Sequence, residues 1–482
     1  MTKETLIRSN DPPDFVVFKL YLLSFCVAFV NAAFSTNRLI ANAAILIELV
    51  ALAFAWIRKK YVDYLGLYIL FCGLSLEYSA LLDADRFYSF KNTRIMGVNL
   101  GILVLIPAML RLLTHKVFIP KGKVNRFWGM FLALQASSFV MGLLMILFND
   151  NGVDAYSNLI SQFIGEVYQI CGQNILLVAM FVVILGSQEN IGRLEYYFEA
   201  LLAGTVFSLV ISSLVGAHGR YGGVKTLIAT NNIRWIPLIL LLPLYPQYRH
   251  SKRFWVIGAI GAVLLLLNNA TGKTLMVYAV IPIAYIMYSA KYKRWKECLF
   301  WVACIPAIIA VGGIGMNYMA QNSVLFNSKL GQVKSVIDLV LGRQNVGAMR
   351  ASPQNRIYEV MNITMEYFQK PYLLLLGKGF MGTVTNHVGM PYVAGGYTDA
   401  QWYTGLFYRM HESFSKLYLS GGLLGLTFFL KTIWEAIKNF FKSPWWLVGI
   451  YWFIISYGYS ITMTAFGFPC LIYAIIVSDK KD

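Results

Sequence analysis

Arginine and histidine are the side chains of this sequence with the clearest capacity for chemistry. Arg220 lies in the glycine-rich segment GRYGGVKTLIATNN, whereas Arg356, Arg409 and His411 lie farther along the chain. A guanidinium presents a planar fork of donors that suits phosphate, and it keeps its charge at any accessible pH. An imidazole can accept and return a proton near neutral pH. These residue types therefore suit the binding of a phosphate ligand and proton transfer beside it.

Each of these residues also has a structural interpretation. A histidine at the start of a membrane helix can simply anchor that helix at the interface, and this alternative stays open for His411. An arginine near a membrane can extend its charged end into water or pair locally. We interpret most of the other arginines between apolar runs in this way: Arg86, Arg94, Arg343 and Arg350.

The composition indicates which elements hold these residues. The 482 residues are 58% hydrophobic and 13% charged, whereas about 25% of residues are charged in soluble domains. The sequence therefore predicts an all-α, polytopic transmembrane bundle that forms one integral membrane domain, residues 1–482. The first apolar run, near Val16, lacks a cleavage pattern, so we expect a retained helix and a cytoplasmic N-terminus.

Apolar runs long enough for a membrane helix recur along the whole chain and predict about fourteen spans. We place them near residues 16–34, 39–57, 61–80, 97–113, 127–148, 163–186, 196–216, 233–245, 254–268, 272–289, 297–313, 412–430, 445–458 and 460–477.

The basic residues give these spans a direction. Lys and Arg cluster in alternate loops, as they do on the cytoplasmic side of membrane proteins. We therefore expect both termini to lie in the cytoplasm. The net charge of +18 is accounted for by these loops, and we expect no nucleic acid as a partner. The cytoplasmic clusters are Arg58–Lys60, Lys116–Arg126, Arg193, Arg249–Arg253, Lys291–Lys296, Lys431–Lys442 and Lys480–Lys481.

The longest predicted outer segment, residues 314–411, is where chemistry is expected first, because loops of this length are commonly functional. Within it, Ser352 and Pro353 predict the N-cap and first turn of a helix that ends at Pro371. We expect its apolar side to contact the bundle or the membrane interface. The apolar positions at helical spacing are Ile357, Val360, Met361, Thr364, Met365 and Phe368.

Two strings resemble nucleotide-binding loops, but neither has the required context. GKGFMG, residues 377–382, lacks a flanking strand and helix, and TGKT, residues 271–274, lacks the first glycine of a phosphate-binding loop. The cysteines all lie in or beside apolar runs, without a CxxC pair or a neighbouring histidine. We therefore predict no cofactor, no metal site and no disulfide.

Four segments resemble the bacterial O-antigen polymerase and O-antigen ligase superfamily in their order and predicted outer placement. Two positions depart from the family pattern. Glu412 replaces the usual Asn after the histidine, and Lys273 lies where the family more usually has arginine. The resemblance covers residues 216–430, less than half of the chain. The four segments are GRYGGVKTLIATNN, LNNATGKTLMVYAVIPI, RIYEVMNITMEYFQKPYLLLLGKGFMG and MHESFSKLYLSGGLLGL.

The resemblance implies a protein of the bacterial inner membrane. Its substrate would be an undecaprenyl-pyrophosphate-linked oligosaccharide, with transfer on the outer face of that membrane. It places Arg220 and Arg356 on the pyrophosphate and His411 near the acceptor hydroxyl, as the catalytic residues. Four further positions are implied in substrate binding: Arg409, Lys273, Asn232 and Glu412.

The function implied is that of a metal-independent, inverting glycan polymerase, which moves a growing polysaccharide onto another lipid-linked repeat unit. A chain-length regulator and a flippase of the same pathway are the expected protein partners, beside membrane lipids. Two alternatives stay open. An O-antigen ligase would transfer the same glycan to the lipid A core, and a flippase would move it without covalent chemistry.

Overall fold

A computed structural model gives the fold, which is mostly helical in its described part. The structure describes residues 13–34, 37–75, 90, 93–95, 98–114, 123–148, 159–167, 175–177, 179–181, 191–221, 224–227, 231–245, 248, 251–269, 272–306, 321, 324–391, 397, 399–408, 410–455 and 467–479.

The described elements, in chain order, are α1 Pro13–Phe34, α2 Arg38–Ile57, α3 Tyr61–Gly73, β1 Arg94–Ile95, β2 Val98–Asn99, α4 Leu100–Leu103, α5 Ile106–Thr114, α6 Lys123–Leu147, α7 Leu159–Val167, α8 Leu194–Leu214, β3 His218–Tyr221, β4 Val224–Leu227, α9 Lys252–Asn269, α10 Gly272–Lys291, α11 Val324–Val340, α12 Ala351–Gln369, α13 Leu373–Leu376, β5 Val384–Thr385, α14 Asp399–Thr404, β6 Leu406–Phe407, α15 Ser413–Asn439, α16 Trp445–Ile455 and α17 Gly467–Asp479. Short 3₁₀ helices cover Ile191–Arg193 and Val346–Ala348, a longer one covers Asn231–Leu244, and residues 295–306 are also helical.

Five described helices are long and apolar enough to cross a membrane: Phe15–Phe34, Arg38–Ile57, Arg126–Leu147, Ile191–Leu214 and Ser413–Asn439. Each overlaps a predicted span. Together they support an all-α membrane protein, while the number of about fourteen spans and the outer placement of residues 314–411 stay predictions.

The predicted span at 233–245 takes an unexpected form. Asn231–Leu244 is a 3₁₀ helix with Pro237 and Pro243 inside it. Proline has no N–H to donate to the helix. A 3₁₀ helix rises about 2.0 Å per residue, so these residues reach nearly the ~30 Å of a hydrocarbon core. A segment that is short for an α-helix therefore has almost enough length to span a bilayer.

Contacts divide the chain into two compact units. The first contains Met1–Ile119, Leu176–Ser323 and Met463–Cys470, and the second contains Pro120–Ile175, Val324–Thr462 and Leu471–Asp482. In the first unit, α8 is the central helix and packs against α1, α3 and α9. An ion pair of 2.9 Å joins Arg253 of α9 to the buried Glu199 of α8.

In the second unit, α15 is the central helix and packs against α6, α12, α13 and α16. It bends at Gly422, whose φ of 55° and ψ of −136° are not helical. A side chain there would collide with the backbone carbonyl of Leu374. Glycine at this position therefore lets α13 approach α15 closely.

The helix predicted between Ser352 and Pro371 is confirmed as α12, Ala351–Gln369. Its predicted N-cap was wrong, because Arg350 occupies that position and Ser352 lies inside the first turn. Pro353 fits there because the N–H groups of the first turn have no partner within the helix. The Ser352 hydroxyl instead accepts a hydrogen bond from Arg356 Nη1, at 3.1 Å.

Candidate functional site

Helix α12 buries a row of polar side chains and exposes several of its apolar ones. Asn355, Glu359, Asn362 and Glu366 are all buried, and their spacing places them on one face of the helix. The opposite face carries exposed apolar residues, of which Phe368 is 80% exposed. A buried polar face costs free energy unless each group has a partner. The partners of this face therefore define the candidate site.

Glu359 is the most enclosed of these residues, with no exposed surface. Its Oε1 and Oε2 accept the backbone N–H of His411 at 3.0 and 3.1 Å. The Tyr397 hydroxyl donates to Oε1 at 2.6 Å, and His411 Nδ1 lies 2.5 Å from the same oxygen. These partners compensate the buried charge that the carboxylate carries when ionised.

The contact with Glu359 decides which proton His411 carries. An ionised carboxylate only accepts hydrogen bonds, so the Nδ1 that faces it must be the donor. In the neutral ring, Nε2 is then the basic nitrogen. The Tyr397 ring packs edge-to-face on the imidazole, with centroids 4.6 Å apart and an interplanar angle of 88°. His411 is therefore held in one orientation and in one tautomer.

Arg356 lies one turn before Glu359 on α12 and contacts the residue that follows His411. Its Nε is 2.6 Å from Glu412 Oε1, and Nη1 donates to the Ser352 carbonyl at 3.1 Å. The Nε–H does not point along a hydrogen bond to Glu412, so their attraction is mainly that of opposite charges. Both side chains are about one quarter exposed. A positive charge thus lies at the accessible edge of the buried Glu359–His411 pair.

The chain order explains why these groups meet. His411 and Glu412 form a bend immediately before α15, and Glu412 has extended backbone angles at the N-cap position. Consecutive side chains in extended backbone point in opposite directions. Because α12 packs against α15, the bend brings His411 to Glu359 and Glu412 to Arg356.

A second group of charges anchors the loop that contains GKGFMG. Lys378 is buried, where it pairs with Glu366 and donates to the Thr383 carbonyl at 2.7 Å. Glu366 Oε2 accepts the N–H of Thr385 at 3.2 Å. Lys416 pairs with Glu166, whose Oε2 also accepts the N–H of Met381 at 2.6 Å. Lys378 is therefore a structural cation, which agrees with the rejection of this string as a nucleotide site.

The aromatic residues near the site fall into different environments. Tyr397, Trp402 and Phe407 pack edge-to-face on one another, so they form part of the support around His411. Tyr403, in contrast, is 93% exposed.

The structure brings together three of the predicted site residues: His411, Arg356 and Glu412. Arg409 lies outside the described residues. The other three belong to the first unit, in strand β3, the 3₁₀ helix and α10, and their side chains are not described; they are Arg220, Asn232 and Lys273. Their place in the site stays a prediction.

Sequence reasoning missed the roles of Glu359 and Tyr397. For Glu359 a signal existed, because a carboxylate three residues after Arg356 shares its side of the helix. The apolar stripe of α12 instead predicted that the opposite face of the helix makes the contacts. Tyr397 lies in an aromatic-rich loop without periodicity, and no local pattern singles it out.

In the part of the chain that the structure describes, no three His, Cys, Asp or Glu side chains are grouped as metal ligands. Comparisons of this chain with protein-family models, with curated proteins and with solved structures found no match. The assignment to the O-antigen polymerase and ligase superfamily therefore stays a prediction from the four segments.

Proposed function

We propose that this protein is a membrane glycosyltransferase that polymerises a lipid-linked glycan. It would move the growing chain from undecaprenyl pyrophosphate to the sugar terminus of another lipid-linked repeat unit. The observation that carries the proposal is the buried Glu359–His411 pair with Arg356 at its open edge. In this arrangement His411 would be the proton acceptor, and the nearby Arg356 would be the cation that binds phosphate.

Arg356 would bind the diphosphate of the donor. In the absence of substrate, its charge is balanced by Glu412. Because the Arg356 side chain is about one quarter exposed, its guanidinium can reach a phosphate and bind it through two parallel hydrogen bonds. As the bond to the sugar breaks, negative charge grows on the leaving diphosphate, and a nearby cation stabilises it. Arg220 stays a predicted second ligand of this group.

His411 would act as the general base. Its Nε2 would take the proton from the attacking hydroxyl of the acceptor sugar. Glu359 would stabilise the resulting imidazolium through the hydrogen bond from Nδ1–H. The acceptor oxygen forms a bond to the anomeric carbon of the donor as the bond to the diphosphate breaks. The diphosphate leaves with that electron pair, so a single displacement inverts the anomeric configuration.

The exposed side of α12 supports a substrate that is anchored in lipid. Met361, Met365 and Phe368 are exposed apolar residues on the face opposite Glu359. An amphipathic helix with such a face lies in the plane of the membrane interface. Residues on its inner side would then lie at the depth of lipid phosphates. This placement favours a lipid-linked pyrophosphate over a soluble sugar nucleotide.

The direct test is a transfer assay with purified protein. A synthetic undecaprenyl-pyrophosphate repeat unit is incubated without ATP and without added metal, and the products are separated by chain length. We expect lipid-linked products of two or more repeat units. Transfer to lipid A core, but not to the repeat unit, would replace the polymerase by the ligase. The absence of any transferred glycan with either acceptor would overturn the proposal.

Variants of the site residues sharpen this assay. We expect His411→Ala and Arg356→Ala each to lower transfer by at least about a hundredfold, because each removes a group that acts in the transition state. Arg343→Ala serves as the matched control, since Arg343 is an exposed arginine that pairs loosely with Asp338 at 3.8 Å. Full activity of Arg356→Ala would remove Arg356 from the diphosphate site.

A further inference from the structure

A separate cavity lies in the second unit at the far end of α15 from His411. Its walls come from α6, α15, α16 and α17, and its volume is about 120 Å³. That is several times the space that one water molecule needs. The wall residues on α15 lie about four to seven turns beyond the N-terminus of the helix, which corresponds to roughly 22–39 Å at 1.5 Å per residue. If α15 crosses the membrane, the cavity opens near the opposite surface from the candidate active site.

The rim of this cavity is positively charged. Arg126 of α6 and Lys431 of α15 both line it, and both are exposed. Neither forms an ion pair with any residue that the structure describes; the polar contact of Lys431 Nζ is with Met130 Sδ, at 3.1 Å. Two cations at one opening, neither paired with a carboxylate among the described residues, attract an anionic group.

The inner wall combines apolar and polar surfaces. Phe428 and Trp446 contribute aromatic surface, and the Trp446 indole N–H already donates to Ser478 Oγ at 2.9 Å. Glu435 also lines the cavity, where its Oε2 accepts a hydrogen bond from Asn439 Nδ2 at 3.3 Å. Apolar surface below a cationic rim is the arrangement that suits a ligand with a charged head and a hydrocarbon body.

We infer that this cavity binds the phosphate headgroup of a membrane phospholipid. Arg126 and Lys431 hold the phosphate, the aromatic wall contacts the first part of the lipid tails, and the Glu435–Asn439 pair faces the polar substituent of the phosphate. Basic pockets between membrane helices on the cytoplasmic side are suited to lipid headgroups. The location at the end of a candidate span places the cavity where such headgroups are abundant.

The inference can be tested by native mass spectrometry of the detergent-purified protein titrated with phosphatidylglycerol. We expect a bound lipid whose affinity falls by tenfold or more in the double variant Arg126→Gln, Lys431→Gln, because each basic side chain contributes about 1 kcal/mol near an anionic lipid. Lys438→Gln is the matched control. Lys438 lies at the same end of α15, where its ammonium sits 4.8 Å from the Trp434 ring centroid and does not line the cavity.

Two further measurements keep the inference falsifiable. Because Arg126 and Lys431 are exposed, we expect the double variant to unfold at the same temperature as the parent protein in lipid-free detergent. Inorganic phosphate at millimolar concentration should not displace the lipid, since it lacks the apolar contacts. Equal lipid affinity of the double variant and the Lys438→Gln control would overturn the inference. Displacement by inorganic phosphate would show a site for free phosphate and would overturn the lipid assignment.

Discussion

At the scale of single residues, Glu359 has more influence on the candidate site than any residue suggested by sequence. It touches His411 through both the backbone N–H and the imidazole, and it accepts the Tyr397 hydroxyl. A buried carboxylate with these partners fixes the position of the histidine ring. Glu359 is thus a positioning residue, whereas His411 is the group proposed to meet the substrate.

The variant Glu359→Gln tests this role, because glutamine keeps the volume of glutamate and loses its charge. The amide can still accept the His411 N–H, but it no longer stabilises an imidazolium. We expect kcat for transfer to fall by about a hundredfold, with little change in KM for the lipid-linked donor. Steady-state kinetics on the repeat unit provide the measurement.

The control for Glu359→Gln is Asp338→Asn, which removes an acidic group from the partly exposed pair with Arg343. We expect this variant to keep the parent kcat. An unchanged kcat in Glu359→Gln itself would mean that the carboxylate supports the fold alone and has no part in proton transfer.

At the scale of elements, the turn after α13 is held by backbone packing as well as by charge. Gly379 has a φ of +72°, and its N–H donates to the Ser420 carbonyl at 3.1 Å. A side chain at this position would collide with the backbone of Gly142 in α6. The turn thus brings α6 and α15 together near the pairs that Glu366 and Glu166 form.

Tyr367 secures the same region from α12. Its hydroxyl donates to the carbonyls of Tyr418 and Leu419 at 2.8 and 2.9 Å. Burial raises the pKa of the Tyr367 phenol well above its ordinary value, so the group stays a donor at neutral pH. These hydrogen bonds join α12 to the first part of α15, about two turns after His411.

Gly379→Ala should therefore destabilise the protein by about 3 kcal/mol or more, which combines the strain of a positive φ with a steric clash. Gly389→Ala is the matched control. Gly389 has a similar φ of +67° but open space around it, so we expect a cost of only about 1–2 kcal/mol. Thermal unfolding in detergent measures both variants. Equal losses would contradict the close packing of the turn on α6.

At the scale of the whole molecule, the direction of α15 matters most, because it carries the candidate site at one end and the proposed lipid cavity at the other. The 27 residues of α15 measure about 40 Å at 1.5 Å per residue, which exceeds the ~30 Å of a hydrocarbon core. The basic residues near its C-terminus predict that this end is cytoplasmic.

Single cysteines test this direction in a variant whose six native cysteines are replaced. Tyr403→Cys precedes α15, and Lys438→Cys lies near its end. We expect a membrane-impermeant maleimide to label Tyr403→Cys in cells whose outer membrane alone is permeable. Lys438→Cys should be labelled only after the inner membrane is opened. The reverse pattern would contradict the predicted topology, and labelling of both in intact inner membranes would contradict a spanning α15.

The sequence by itself determined the class of the fold and the position of several helices. Long apolar runs have one stable arrangement in lipid, because the backbone must satisfy its own hydrogen bonds there. For this reason the five described membrane-length helices overlap predicted spans, and α12 lies within the predicted limits. The residue types also selected Arg356 and His411 as candidates, and Glu412 was added by the family resemblance.

Only the tertiary structure decided how those candidates are joined. Glu359 and His411 are 52 residues apart, and no local periodicity encodes a contact at that distance. The pattern of α12 shows an apolar and a polar side, but it does not tell which of them faces the protein, since lipid and protein interior both accept apolar groups. In the structure, α12 packs on α15 through its polar side, and this packing brings Glu359 to His411.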